Sequence, residues 1–94
     1  MAIRGFRGKW SRPLFDDVLP RGFPPDVFAV ARRKLMMIDQ ARRLEDLRNP
    51  PANRLEALKG VRRGQYSIRI NDQWRICFHW SEGHAESVEV VDYH

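Results

Sequence analysis

The sequence predicts an α+β fold in which two helices pack on an antiparallel sheet. Apolar residues recur at helical spacing in the first half of the chain, and after Gly60 the spacing changes to strict alternation. Turn-forming segments divide the alternating part into three strands, which predicts two consecutive hairpins. Because such a sheet has one apolar face that must be covered, we expect the two amphipathic helices to cover it.

The expected order of elements is β-α-α-β-β-β, with a short edge strand from Ile3 to Arg7. Ser11 is expected to cap the first helix, with Pro13 in its opening turn. The face of that helix is formed by Trp10, Leu14, Phe15 and Val18.

The second helix is longer and is opened by Pro24-Pro25-Asp26, because proline suits a first turn and an acid there complements the helix dipole. Its pattern fades through Leu44 and Leu47 and ends before Asn49-Pro50-Pro51, since the residue before a proline avoids helical backbone. Its apolar stripe consists of Val27, Phe28, Ala31, Leu35 and Ile38.

The three later strands are separated by turns at residues 71–73 and 81–84, and the last strand runs from Ala85 to about Asp92. Alternation assigns the first two strands two faces. The apolar face carries Tyr66, Ile68, Ile70, Trp74, Ile76, Phe78 and Trp80. The opposite face carries Gln65, Ser67, Arg69, Arg75, Cys77 and His79.

Length and charge limit the class of protein. The 94 residues fit a single domain, residues 1–94, with a modest core. The net charge is +5, and fourteen of the seventeen cations are arginine, which grips phosphate oxygens in a bidentate fork. A single cysteine, Cys77, excludes an intrachain disulfide, and neither a signal peptide nor a membrane span is apparent. We therefore expect a soluble, cytoplasmic protein whose partner is a polyanion.

Arg69 and Arg75 flank one turn on the face opposite to the apolar residues, so they are expected to lie near each other on adjacent strands. Two like charges in that position repel, and a polyanion bound between them would relieve the repulsion. The alternative is that both are solvated surface residues paired with Glu86 or Glu89. An arginine-rich proteome explains much of the Arg:Lys ratio, but it does not explain this placement.

The segment around Gly60 and Gly64 is a basic loop with Lys59, Arg62 and Arg63. Glycines that bound a basic loop let backbone and cations approach phosphate closely, although the spacing is not that of a P-loop. Taken alone, the segment is more typical of a solvated loop.

The chain ends on an acid, a phenol and an imidazole: Asp92, Tyr93 and His94. Histidine is a natural proton donor or acceptor near neutral pH, and a tyrosine among guanidinium groups can act as a base. A polar, frayed terminus is the alternative. If the strand continues, Tyr93 points away from its two neighbours, so the three converge only if the chain twists. No histidine or cysteine spacing indicates a metal site.

These residues resemble the HigB toxins of bacterial toxin–antitoxin systems, within the RelE/ParE superfamily. The resemblance covers essentially the whole chain in order. It is carried by Ile3–Arg7, Arg21–Asp26, Leu55–Gly60, Gly64–Asn71, Trp74–Ile76 and Asp92–His94.

The resemblance implies a RelE/ParE-like fold, with a short N-terminal strand and two helices on an antiparallel sheet. It also implies an endoribonuclease that needs no metal or cofactor and cuts mRNA in the A site of the 30S ribosomal subunit. The implied partner is a HigA-type helix-turn-helix antitoxin, and the complex would bind its operator DNA through that antitoxin.

Carried over residue by residue, the resemblance implies that Asp92, Tyr93 and His94 are the catalytic ending. It further implies that Arg75 holds the scissile phosphate. The implied reaction is attack of a ribose 2′-hydroxyl on the adjacent phosphate, with His94 protonating the departing oxygen.

The remaining predicted site residues are cations and one acid. Lys59 and Arg69 lie in the matching basic surface, and Arg62 extends it as a further phosphate-binding residue. Several family members carry a catalytic histidine just before Leu-Lys-Gly, where this chain has Glu56 instead. Glu56 either replaces that histidine as the base or leaves more of the work to His94.

Two other functions fit the same sequence. A ParE-like toxin would share the fold and inhibit DNA gyrase by protein contact, with no need for the terminal Asp92-Tyr93-His94. A non-catalytic basic protein would bind any nucleic acid in a salt-sensitive manner and would not arrest growth.

Overall fold

The computed structural model describes residues 1–93, so the role predicted for His94 lies outside the described residues. Two α-helices precede a four-stranded antiparallel sheet whose strands are ordered β1-β2-β3-β4. The helices are α1 (Ser11–Phe15) and α2 (Phe28–Gln40), and the strands are β1 (Glu56–Ala57), β2 (Tyr66–Arg69), β3 (Trp74–Ser81) and β4 (His84–Asp92). The predicted α+β class is confirmed. The two-residue strand β1 was not predicted from the sequence.

The N-terminal segment lies along the free edge of β4, as two isolated parallel bridges from Ile3 to Ala85 and from Phe6 to Val88. Backbone hydrogen bonds accompany both bridges, including one of 2.9 Å from the Arg7 amide to the Val88 carbonyl. Between the two partners on β4, Ser87 has a φ of 52°. That left-handed residue interrupts the ladder, so the predicted edge strand is present as two contacts instead of a continuous pairing.

Helix α1 is shorter than its apolar pattern predicted, and Ser11 does not cap it. The Ser11 hydroxyl donates to the Arg7 carbonyl oxygen (3.1 Å) and accepts from the Val90 amide (2.8 Å), which ties the helix to β4. Because the helix ends at Phe15, Val18 leaves the buried face and is 55% exposed. The expectation of a Ser11 cap and of a face extending to Val18 was therefore wrong.

Helix α2 carries most of the predicted apolar stripe, with Ala31, Leu35 and Ile38 buried, and Val27 is buried in the 3₁₀ turn Pro25–Val27 just before it. It ends at Gln40 because Ala41 has extended backbone, and residues 44–48 form a separate 3₁₀ turn. Among residues 1–93, no helix combines the length and apolarity required to cross a membrane.

The two hairpins are placed as predicted. Between β3 and β4, Glu82 and Gly83 have φ values of 51° and 80°, the pair of positive φ angles that a tight type I′ connection requires. Between β2 and β3, the Asn71 side chain accepts hydrogen bonds from the Gln73 and Trp74 amides (2.9 and 2.8 Å). These turns fix the register, which pairs Arg69 with Arg75 and His79 with Glu86.

The sheet face under α2 forms the hydrophobic core, as alternation predicted. Burial of each large apolar side chain there contributes about 1.5–3 kcal/mol. The sheet residues of this core include Ile68, Ile70, Trp74, Ile76, Phe78, Val88 and Val90.

The opposite face of the sheet is polar, yet its centre is also buried. Ser67 and Cys77 have no exposed surface, and Arg75 is only 9% exposed. A buried arginine requires satisfied hydrogen bonds, and these define the site described next.

Candidate functional site

The polar face is organised in rows that cross the strands. Cα partners run from Glu56 on β1 to Ser67 on β2, then to Cys77 on β3 and Glu89 on β4. Since directly opposed residues of antiparallel strands share a face, all four side chains lie on the polar side. This row places a glutamate at each end.

Arg75 lies in the next row, and its guanidinium is held by three groups. Its Nε donates to the Ser67 hydroxyl (2.8 Å), and its Nη2 donates to the Arg54 carbonyl oxygen (2.8 Å). The same Nη2 is 3.2 Å from Oε1 of Glu56, which completes an ion pair. These contacts fix the orientation of a planar cation that is almost fully buried.

The loop before β1 is built to present the Arg54 carbonyl. Arg54 has left-handed backbone (φ 47°) directly after the 3₁₀ turn Pro51–Asn53. Asn53 has no exposed surface, and its side chain donates to the Leu47 carbonyl oxygen (3.1 Å) and accepts from the Lys34 amine. Burial lowers the pKa of Lys34, and Arg33 and Arg69 lower it further. A buried amine on α2 therefore anchors the loop that contacts Arg75.

Asp92 and Tyr93 lie on opposite sides of the sheet. Asp92 pairs with Trp74, which belongs to the apolar face, and its Oδ2 accepts a hydrogen bond from the side-chain Nε2 of Gln73 (3.1 Å). Tyr93 lies on the other side, with its ring centroid 5.9 Å from the Arg75 guanidinium carbon. That distance is within the range of a cation–π contact. The expected divergence of Asp92 and Tyr93 is confirmed.

Arg69 and Arg75 are directly paired, as expected, but their guanidinium groups have different partners. Arg69 pairs with the exposed carboxylate of Asp72 in the adjacent turn, whereas Arg75 pairs with Glu56. The alternative that these arginines pair with Glu86 or Glu89 was wrong about the partners. Each guanidinium instead pairs with a different nearby carboxylate, which reduces the repulsion between Arg69 and Arg75.

Arg62 in the basic loop contacts the sheet. Arg62 Nη1 is 3.3 Å from Glu89 Oε1 and donates to Gln65 Oε1 (3.2 Å). Because Arg62 precedes β2 and Glu89 lies on β4, the Arg62 side chain spans β3 near Cys77. Burial raises the pKa of the Cys77 thiol, and Arg62 opposes that rise. Lys59 in the same loop is exposed.

Of the predicted site residues, the structure brings Arg75, Glu56 and Tyr93 together. It directs Asp92 to the other face and Arg69 toward its turn. Sequence reasoning missed Ser67, although its place on the polar face of β2 was a usable signal. It also missed the Arg54 carbonyl, for which the left-handed backbone left no signal in the sequence.

The assembled groups suit phosphate chemistry. A fixed guanidinium can hold phosphate oxygens, while a carboxylate and a phenol beside it can transfer protons. Within residues 1–93, no group of three or more His, Cys, Asp or Glu side chains could hold a metal ion.

Helices packed on one face of a four-stranded antiparallel sheet are consistent with the fold of a RelE-like toxin. A family model described as the RelE-like toxin of type II toxin–antitoxin system HigB matches residues 4–94. The chain belongs to this HigB-like toxin family, and a toxin of this kind has an antitoxin partner.

Individual relatives agree with this assignment. The chain is 41% identical over 81 residues to a Vibrio cholerae serotype O1 protein named Toxin HigB-1, with 85% of each chain covered. It is 33% identical over 92 residues to a Proteus vulgaris protein named Endoribonuclease HigB, with 98% of this chain and 99% of the relative covered.

Proposed function

We propose that the protein is a toxin endoribonuclease that cuts translated mRNA in the ribosomal A site and is neutralised by a HigA-type antitoxin. One observation carries the proposal: Arg75 is buried, held by three groups, and adjacent to both Glu56 and Tyr93. The name of the Proteus vulgaris relative supports the same activity.

The proposed reaction is an internal transesterification. Glu56 or Tyr93 removes the proton from a ribose 2′-hydroxyl, and that oxygen attacks the adjacent phosphorus. The bond from phosphorus to the 5′-oxygen breaks, which leaves a 2′,3′-cyclic phosphate, and His94 protonates the departing 5′-oxygen. Because the nucleophile belongs to the substrate, the reaction needs no metal.

Arg75 stabilises the negative charge that develops on the phosphate. A preorganised donor of this kind is worth about 3–4 kcal/mol. In the free protein this guanidinium pairs with Glu56 (3.2 Å), so the phosphate and the proposed base would share one cation. Arg69, Lys59 and Arg62 would bind phosphates that flank the cut, and the ribosome would align the message. Operator DNA would be bound only through the antitoxin.

Induction of the wild type and of an Arg75→Ala/His94→Ala double variant, followed by mapping of cellular mRNA 5′-ends, tests the proposal. We expect growth arrest and new cuts within translated messages for the wild type and neither for the double variant. Arg48→Ala, which changes an exposed arginine outside the site, serves as the matched control and should cut like the wild type.

Other outcomes would overturn the proposal in different ways. Arrest with intact mRNA would point to a protein target such as gyrase, and absence of arrest would leave a nucleic-acid-binding protein. The single variants Glu56→Gln and Tyr93→Phe then separate the two candidate bases, because only loss of the true base removes the corresponding limb of the pH–rate profile.

A further inference from the structure

A small cavity of about 250 Å³ opens on the polar face beside the Arg75 site. Arg7, Val61, Arg62, Gln65 and Glu89 line it. Val61 is fully exposed, and the two arginines outnumber the single glutamate. The cavity is therefore positively charged overall.

Two of the charged lining groups, Arg62 and Glu89, are partly buried and paired with each other. The Arg62 and Glu89 side chains are 29% and 22% exposed, and their closest atoms are 3.3 Å apart. Gly8 backs the carboxylate: a Cβ at this position would be 3.4 Å from both Cγ and Oε2 of Glu89. Arg62 is thus paired in the free protein, and a residue with a side chain at position 8 would touch its carboxylate partner.

This cavity and the Arg75 site are built alike. Glu56 and Glu89 occupy the two ends of one cross-strand row, and each pairs with an arginine, Arg75 on β3 and Arg62 in the turn before β2. A carboxylate and a phosphodiester are both anions that a guanidinium grips in the same planar geometry. Each glutamate therefore occupies a position that an RNA phosphate would compete for.

We infer that the cavity of Arg7, Arg62, Gln65 and Glu89 is a second phosphate subsite for RNA, which Glu89 keeps occupied in the free protein. The inference rests on the proposed function and deepens it. An RNA phosphate that flanks the cut displaces Glu89 from Arg62, and Gln65 and Arg7 contact the adjoining sugar and phosphate. Glu89 thereby weakens binding of RNA to the free protein.

The size and position of the cavity favour a polymer backbone over a free metabolite. Small-molecule sites are enclosed cavities of about 300–1,000 Å³, whereas this one is smaller. The site also shares a sheet face with the residues proposed to cut RNA. One phosphate and part of its sugar, belonging to the same RNA strand that is bound at Arg75, fit this size and position.

A double-mutant cycle in binding tests the inference. The probe is a short single-stranded RNA with 2′-O-methyl riboses, which cannot be cut, and the affinity is measured over a range of salt concentrations. Glu89→Gln should raise the affinity about two- to fivefold, the range expected for release of one partly exposed ion pair. Arg62→Gln should lower the affinity and reduce the salt slope by about 0.7.

The controls separate a local effect from a change in net charge. Glu86→Gln removes the same charge from an exposed position on the same strand and should raise affinity less than Glu89→Gln. In the Arg62→Gln background, Glu89→Gln should raise the RNA affinity no more than Glu86→Gln does. Equal gains from the two glutamine variants, or an undiminished gain without Arg62, would overturn the inference. Thermal unfolding of each variant verifies that it is folded.

Failure of this inference is distinguishable from failure of the proposed function. If wild type cuts mRNA in cells and the cycle shows no coupling, only the second subsite is wrong. If the cycle shows the expected coupling but mRNA stays intact, the protein binds RNA phosphates without the proposed cleavage.

Discussion

The two faces of the sheet are both buried at their centres, but by different means. The face under α2 is covered mainly by apolar side chains, and Ile68, Ile76 and Phe78 have no exposed surface. The other face buries Ser67 and Arg75 beneath a loop and ion pairs. The first face stabilises the fold, whereas burial on the second face holds charged groups in fixed positions.

The difference lies in what each face tolerates. An apolar core stabilises the fold through buried area and packing, which are nondirectional. A substitution there therefore lowers mainly the free energy of unfolding. The polar face depends on directional hydrogen bonds to a guanidinium. A substitution there should therefore lower the activity more than the free energy of unfolding. Matched variants on the two faces should separate the loss of stability from the loss of activity.

The largest effect is expected on the apolar face. Phe78→Ala removes a fully buried ring and should lower the free energy of unfolding by about 3–5 kcal/mol, measured by urea denaturation. The neighbouring His79→Ala, at an exposed position on the same strand, should change it by less than about 0.5 kcal/mol. Similar losses for both would mean that this face is not the main source of stability.

A comparable effect, but in activity, is expected at Arg75. Arg75→Lys keeps the charge and loses the planar fork, so it cannot hold Ser67, Arg54 and a phosphate together. Cleavage of mRNA in a translation extract should fall about 10²–10³-fold. Arg48→Lys is the matched exposed control. Retained activity in Arg75→Lys would show that charge alone suffices there.

A smaller effect is expected at the hydroxyl that orients Arg75. Ser67→Ala removes the acceptor of the Arg75 Nε hydrogen bond and should reduce mRNA cleavage about 10–150-fold, since a hydrogen bond to a charged group contributes about 1.5–3 kcal/mol. Ser81→Ala, at the exposed end of β3, should be neutral. If Ser67→Ala changes stability but leaves cleavage intact, Ser67 serves packing alone.

The smallest effect is a pH dependence at Lys34, which links α2 to the polar face through Asn53. Burial lowers the pKa of Lys34 below its unfolded value, so the unfolded chain binds more protons in the alkaline range between the two values. The stability of wild type relative to Lys34→Met should therefore rise with pH in that range and be constant below it. Urea denaturation at several alkaline pH values measures this, and a falling difference would contradict it.

Much of the fold was predictable because it is set by local periodicity. Alternation assigned Ile68 and Phe78 to the buried face, and the turn residues placed both hairpins. The helix ends were less predictable: the apolar pattern ran on to Val18, but the α1 helix stopped at Phe15. Ser11 looked like a cap, yet a long-range bond to β4 uses its hydroxyl.

The candidate site was predictable only in part. The sequence placed Arg69 and Arg75 opposite each other, but it did not reveal which acid each would pair with. It also gave no sign of strand β1, which brings Glu56 to the sheet edge.

By itself, the sequence determined the α+β class, the two faces of the sheet, the basic character and the resemblance to the HigB toxins, because these depend on residue type and spacing along the chain. Tertiary structure alone decided that Arg75 is buried against Ser67, Arg54 and Glu56, and that Arg62 reaches Glu89. Those contacts join residues far apart in the chain, and their geometry depends on how the loops before β1 and β2 close onto the sheet.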